Sequence, residues 1–408
     1  MNMSIAIFHT GFATLGGAEV LAARQAQYLR GHGVDITVFS FSGLGTGIRP
    51  LLEGSPYVEL KKRHWTDVIS FWSKAKKIRA RSRRAAVHLR EFETVIAHNA
   101  PCTTMLGLAE GSMRRLWYCH EPPRSLYLEA CNPNLTRRSR GAELAGEPEA
   151  VKAFRAMLQK TDHWGPQQRL RHRNLVRLDQ EGASAFLSAR ANSAFCMGLA
   201  KSVYPGLPVD VMYPMVTFER EPLRRLGLDR SGLQVLAHSR LEVMKNLDTV
   251  IRGFAKFQEH HPGAVLHIVG EGKDKPRLQA VAQACLPAGA FRFHGFLQQT
   301  ELDAVYARCD VAAMLPLDEP FGMVFPEAAG RGLLLIGPDH GGPLEILEGG
   351  EIGWTCDPFD PEVMADALNQ IWALSDEDVR RRRERAYQSC LSRFSPEVIG
   401  EQLMQWIR

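Results

Sequence analysis

A chain of 408 residues with 45% hydrophobic content and a net charge of +5 can bury more than one core, and its charge is too modest overall to mark a nucleic-acid binder. Its eight cysteines are scattered with no Cys-x-x-Cys pair, which argues against a zinc knuckle or a disulfide framework and for a reducing cytosol. The start, MNMSIAIFHTGF, reads as a short apolar strand, and no run of about 18 apolar residues follows anywhere, so neither a secretion signal nor a membrane span is expected.

In chain order, SIAIFHT reads as a strand, FATLGGAE as a loop, VLAARQAQYLRGHG as a helix stopped by glycine and VDITVFS as the next strand, a β-α-β unit. Gly16 and Gly17 open that helix, where their backbone N–H groups can approach a negative ligand. A purely structural turn has the same signature, and the G-x-G-x-x-G fingerprint is absent. From Lys61 to Arg90, Asp67 is the only acid, and Val68, Phe71, Trp72 and Ala75 recur at helical spacing among lysines and arginines. Such a basic amphipathic helix suits an anionic membrane surface, or else packs its stripe on the core and leaves the charge in solvent. No nucleic-acid module accompanies it. Leu116 to Cys119 reads as a strand with His120 at its end, followed by Glu121 and two prolines. The polar, Arg-rich stretch from Arg124 to Phe186 is expected to be an inserted helical excursion covering a cleft. Four prolines between Val203 and Pro222 separate two alternating halves, so domains are expected at 1–213 and 222–386, with a linker at Tyr213 to Pro222.

The second half alternates again: LQVLAHSRL, NLDTVIRGFAKFQEHHP, AVLHIVGEG, AFRFHGFL, TELDAVYARC, DVAAMLPL. Strands alternating with helices imply parallel sheets covered on both faces, and two such domains present their strand ends across a crevice. Arg240 and Lys245 lie between a strand and a helix, where two cations would neutralise a diphosphate, or merely decorate a surface turn. Gly270, Glu271 and Gly272 follow a strand in the same manner. In EPFGMVFPEAAGRG, Glu319 precedes a short helix and Glu327 lies inside it, with Pro326 tolerable only in the first turn. Glu319 is placed for sugar hydroxyls and Glu327 for a ribose. The Phe321-Gly322 step, with Met323 and Val324, presents N–H groups of the helix start to phosphate or sugar oxygens. Asp376 and Asp378, the one Asp-x-Asp, fit a helix start better than a cation site.

These motifs, GGAE, CHE, SRLEVMKN, VGEG and EPFGMVFPEAAGRG, resemble those of family 4 glycosyltransferases, retaining enzymes of GT-B fold, with the segment Arg124 to Phe186 the least matched. The resemblance implies two Rossmann-like domains and a closing helix within 387–408 that returns to the first. It implies that Glu319 contacts the donor hexose, Glu327 the ribose, Arg240 and Lys245 the diphosphate, and that His120 hydrogen-bonds a hydroxyl of the transferred sugar. The GGAE loop falls to the donor phosphate and acceptor side. CHEPPR is similar to runs found among mannosyltransferases and points to GDP-mannose. The expected partners are a nucleotide sugar and a saccharide or lipid-linked saccharide acceptor at the inner face of the plasma membrane, without nucleic acid, and no metal cofactor is required. The alternatives are a UDP-sugar transferase acting on a small acceptor, a catalytically silent saccharide-binding homologue, and a phosphorylase, which would need a pyridoxal lysine that the sequence does not identify.

Overall fold

Apolar runs in which both alternating faces are hydrophobic, such as Ile5, Ala6, Ile7 and Phe8, dictate strands buried on both sides, the signature of a parallel sheet between helices. The computed structural model describes residues 4–13, 16–60, 74–143, 147–218 and 227–408. Within them lie two parallel sheets. Strands β1 (Ser4–His9), β2 (Asp35–Ser40), β3 (Tyr57–Glu59), β4 (Thr94–His98), β5 (Arg114–Cys119), β6 (Ser188–Ala191) and β7 (Val209–Val211) form one, in the order β3-β2-β1-β4-β5-β6-β7. Strands β8 (Gln234–His238), β9 (Val265–Val269), β10 (Phe291–Gly295), β11 (Val311–Ala313), β12 (Leu334–Pro338) and β13 (Trp354–Cys356) form the other, in the order β10-β9-β8-β11-β12-β13. In each sheet the chain runs outward in one direction, returns to the middle, and runs outward in the other. Strand order therefore reverses between β1 and β4, and again between β8 and β11. Ligands of open α/β sheets sit outside the strand ends at such reversals.

The chain divides into two compact units, Met1–Cys131 with His163–Met215 and Pro396–Arg408, and Asn132–Asp162 with Val216–Ser395. The segment Asn132–Asp162, placed in the first domain from sequence, thus packs with the second unit. In the first unit, Ile5, Ile7, Ile36 and Val38 pack against Leu21, Ala22, Ala26 and Leu29 of the helix Gly17–Gly31. The helix Pro396–Ile407 adds Ile399, Leu403, Trp406 and Ile407 to that cluster, and each such burial contributes about 1.5–3 kcal/mol. Gly400 is required there, because a Cβ would meet the Tyr28 ring within 2.2 Å. The opposite face of the sheet, with Ala6, Phe8, Val95, Ala97 and Trp117, is covered by Ala85, Leu89, Met105, Leu106 and Cys196.

The helix Lys74–Leu89 therefore turns Ala85 and Leu89 to the core, with Arg79 paired to Glu181 at 2.8 Å and Arg81 lying 5.7 Å from the centre of the Phe41 ring. Val68, Phe71 and Trp72 of the basic segment lie outside the described residues. In the second unit, Leu247, Val250, Ile251, Phe254 and Phe257 of the helix Leu247–His260 fill the core beside β8 and β9. No helix among the described residues is long and apolar enough to cross a membrane. All eight cysteines are free thiols.

Candidate functional site

In the second unit the loops after β8 and β11, the two strands flanking its reversal, meet through charge. Lys245 Nζ donates to Glu319 Oε2 at 2.5 Å, with side chains 22% and 18% exposed. Arg240 is not part of this pair. Its side chain, 69% exposed, pairs with Glu242 at 3.2 Å. Lys245 closes a short 3-10 turn that ends at Asn246, a buried residue with φ +54°. Asn246 Nδ2 donates to Leu315 O at 2.9 Å and to Pro358 O at 2.7 Å, which ties the lysine's turn to the segment carrying Glu319. Asparagine tolerates the left-handed backbone better than most residues, and its Oδ1 accepts from Thr249 Oγ1 at 3.0 Å.

The VGEG glycines act through close approach. A Cβ on Gly270 (φ +126°) would lie 1.9 Å from Ser239 O, and one on Gly272 would lie 2.1 Å from Leu241 O. They let the loop after β9 press against the turn carrying Arg240, while Glu271 pairs with Lys275 at 2.6 Å. The run GGPLE, Gly341 to Glu345, supports the glutamate loop in the same way: a Cβ on Gly342 would lie 2.2 Å from Pro320 O, and its N–H donates to Glu319 O at 2.9 Å. Phe321 is buried edge-on against Phe394, at 5.5 Å. Gly322 (φ +93°) and Met323 then lead into the helix Val324–Gly330, whose first turn holds Pro326 and Glu327. The Glu327 carboxylate lies in the field of Arg331, which caps Tyr306 at 4.8 Å and pairs with Asp303 at 2.8 Å. Ser375, rather than an aspartate, caps the helix that begins at Asp376, and Asp378 pairs with Arg381.

Asp318, fully buried with φ +46°, was missed in the sequence, and it decides where the excursion goes. Its carboxylate accepts from Asn134 N–H (3.2 Å), Asn134 Nδ2 (2.9 Å) and Leu135 N–H (2.9 Å). The helix Pro133–Arg140, whose own Asn132 supplies no side-chain cap, is thus capped from a residue some 180 positions away and pinned beside Glu319. A cavity of about 590 Å³ between this helix and the loops after β12 and β13, lined in part by Arg138, His340 and Phe359, contains none of the residues nominated from sequence.

The first unit carries a different arrangement at its own reversal. β1 ends on His9, β4 on His98, and His120 follows β5, so three histidines sit at the ends of three neighbouring strands. His98 Nδ1 lies 3.1 Å from His120 Nε2, and the His9 and His98 rings are 6.1 Å apart. His9 Nε2 contacts Asn99 Nδ2 at 3.2 Å and lies 4.0 Å from Glu19. Burial holds His9 down to about 4, against one backbone hydrogen bond at Gly11 that raises it. Burial, then the neighbouring His9, holds His120 down to about 3, and burial with both neighbours lowers His98 well below the usual range. All three are neutral at pH 7. Gly16 is the N-cap of the helix that begins at Gly17, and a Cβ there would meet the Glu19 carboxylate at 2.4 Å. His9 and His98 were legible in one respect only: FH, AH and CH each end an apolar run.

Residues 220–389 match the family model described as Glycosyl transferases group 1. Glycogen synthase of Mycobacterium tuberculosis (strain ATCC 25618 / H37Rv) is 35% identical over 153 residues, 38% of this chain and 36% of that one. The GDP-mannose-dependent alpha-(1-6)-phosphatidylinositol monomannoside mannosyltransferase of the same strain is 31% identical over 198 residues, 46% of this chain and 51% of that one. The chain thus spans about a third to a half of the length of these curated relatives. The crystal structure of Anabaena Alr3699/HepE in complex with UDP and glucose aligns with a TM-score of 0.71, covering 99% of each chain at 17% identity. The fold is accordingly GT-B, and the segment that matches the group 1 family model carries Arg240, Lys245, Glu319 and Glu327.

Proposed function

We propose that the protein is a retaining, metal-independent glycosyltransferase of family 4 that moves a hexose from a nucleotide-diphosphate sugar to a saccharide hydroxyl. The observation that carries this is the Lys245–Glu319 pair at the reversal between β8 and β11, inside the segment that matches the group 1 model. A cation and a carboxylate in contact at a ligand-binding edge are a pair that a substrate can divide. An incoming diphosphate takes Lys245, and the released Glu319 accepts from sugar hydroxyls. Arg240, paired with the exposed Glu242, swings to the same diphosphate, and Glu327 takes the ribose. Gly270, Glu271 and the Phe321 to Val324 turn border the nucleotide.

The reaction is a front-face displacement. The bond from the anomeric carbon to the diphosphate oxygen breaks, the acceptor oxygen bonds to that carbon on the same face, and the acceptor proton passes to the departing diphosphate. Lys245 and Arg240 stabilise the charge that builds there, and each such group is worth about 3–4 kcal/mol. His120 hydrogen-bonds a hydroxyl of the moving sugar.

For the donor, the CHEPPR run and the mannosyltransferase relative favour GDP-mannose. The UDP and glucose in the HepE structure favour the second reading, a UDP-sugar donor. A lipid-linked or growing envelope polysaccharide is the acceptor we favour, reached by peripheral contact of the basic segment 61–90 with an anionic membrane. Thermal shift with GDP, UDP, ADP and their sugars in EDTA tests the proposal, because a ligand bound only by the native state raises its stability. GDP-mannose is expected to give the largest rise and to support transfer. Absence of any shift with every nucleotide sugar, or a shift that needs added Mn²⁺, overturns it.

A further inference from the structure

The histidine row of the first unit does more than bury polar groups. His98 is fully buried, stacked on Tyr118 at 5.4 Å and tilted toward His9. Its Nδ1 faces His120 Nε2, and its Nε2 is buried with no hydrogen-bond partner among the described residues. One proton lies between the two rings, and it belongs to one of them. If His120 donated, His98 would be left with a buried, orphaned N–H. If His98 donates, the atom left over is only a lone pair. Orphaned buried N–H groups are rarer in folded proteins than under-satisfied acceptors, and each costs its full desolvation penalty.

We propose that His98 is a positioning residue that donates Nδ1–H to His120 Nε2, fixing His120 as the Nδ1–H tautomer, so that its other ring nitrogen is a hydrogen-bond donor and not a base. His120 is only partly buried, and the ring nitrogen that meets His98 is its Nε2, which leaves Nδ1 for a ligand. A neutral donor there fits an oxygen ligand, a hydroxyl or a phosphoryl oxygen, and cannot take the acceptor's proton. That role rests on the glycosyltransferase reading above; the tautomer itself does not. The sheet sets up the contact: β4 and β5 are adjacent, and their hydrogen-bonded register places His98 beside Tyr118, the residue two before His120. The second ring nitrogen of each histidine has a distinct environment, which is how proteins select tautomers.

The test is a long-range ¹H–¹⁵N spectrum of histidine-labelled full-length protein at pH 7.5, without substrate, assigned with His98→Asn and His120→Asn. Protonated Nδ1 and lone-pair Nε2 on both His98 and His120 are expected. A proton on His120 Nε2, or an imidazolium at either site, overturns the proposal. His98→Phe should release His120 to the Nε2–H form, whereas His98→Asn, whose amide can donate in place of Nδ1–H, should hold it. An unchanged His120 in a folded His98→Phe protein also overturns it, and if that variant does not fold the wild-type spectrum decides. Where transfer is observed, His98→Phe should lose turnover on the order of 10²-fold and His98→Asn should recover most of it. Because the spectrum needs no donor, absence of transfer with every nucleotide sugar would refute the functional reading while leaving the tautomer assignment standing.

Discussion

The two sheet reversals solve the same problem in opposite ways. At β1/β4 the first unit places neutral imidazoles, stripped of charge by burial, in a chain of ring contacts. At β8/β11 the second unit keeps full charges, compensating Lys245 with Glu319 and leaving both partly open to solvent. Burial excludes charge from the first site, because desolvating an ion is costly and a second imidazole beside it disfavours the charged form further. At the second site Lys245 and Glu319 face each other at 2.5 Å and stay partly open to solvent. On the proposed reading, the charged site exchanges partners with a ligand, whereas the histidine row is set before any ligand arrives.

Lys245→Ala tests the partner exchange most severely. Turnover should fall on the order of 10²- to 10³-fold in a transfer assay, with the denaturation midpoint nearly unchanged, since a partly exposed pair adds little to stability. Turnover within threefold of the wild type would remove Lys245 from the site. Asp318→Ala asks whether the second unit's preset geometry depends on the distant cap. It deletes three hydrogen bonds to the helix Pro133–Arg140 and should cost about 2–4 kcal/mol by urea unfolding, with a loss under about 1 kcal/mol showing that the excursion is held otherwise.

Acid titration separates the two regions directly. His9 and His120 titrate lower in the folded chain than the usual 6.5, so the unfolded chain binds more protons between about pH 6.5 and 4. Stability is therefore full above about pH 6.5 and is lost as pH falls, by up to about 1.4 kcal/mol per pH unit for each histidine. His9→Asn should reduce the measured slope between pH 6.5 and 5 by about that amount, and an unchanged slope would mean that His9 is protonated in the native state. At the small end, Arg79→Ala removes a pair whose members are about half exposed, and should move stability by less than about 0.5 kcal/mol. A larger loss would show that the basic helix is held by more than its Ala85 and Leu89 contacts.

How much of this was legible follows from the range of each interaction. EPFGMVFPEAAGRG gave the loop, the short helix and both glutamates, because strand, proline and glycine signals act within a few residues. SRLEVMKN placed two cations at a strand end but could not tell them apart. Lys245 reached Glu319 while Arg240 stayed on Glu242, a choice made by the Asn246 turn and its two distant carbonyl partners. The Arg124 to Phe186 segment resisted because one of its helices, Pro133–Arg140, is capped by a carboxylate far along the chain, which no local pattern reveals.

From its order of residues alone the protein is an alternating α/β chain with apolar strands, glycine turns and charged strand-end loops, since these depend on neighbours three or four positions apart. Only the tertiary structure decided which strand ends became neighbours, that three histidines formed one row, and that residues 132–162 joined the second unit. Those outcomes rest on contacts between residues tens to hundreds of positions apart, where burial and hydrogen-bond satisfaction are settled by the whole fold rather than by any segment.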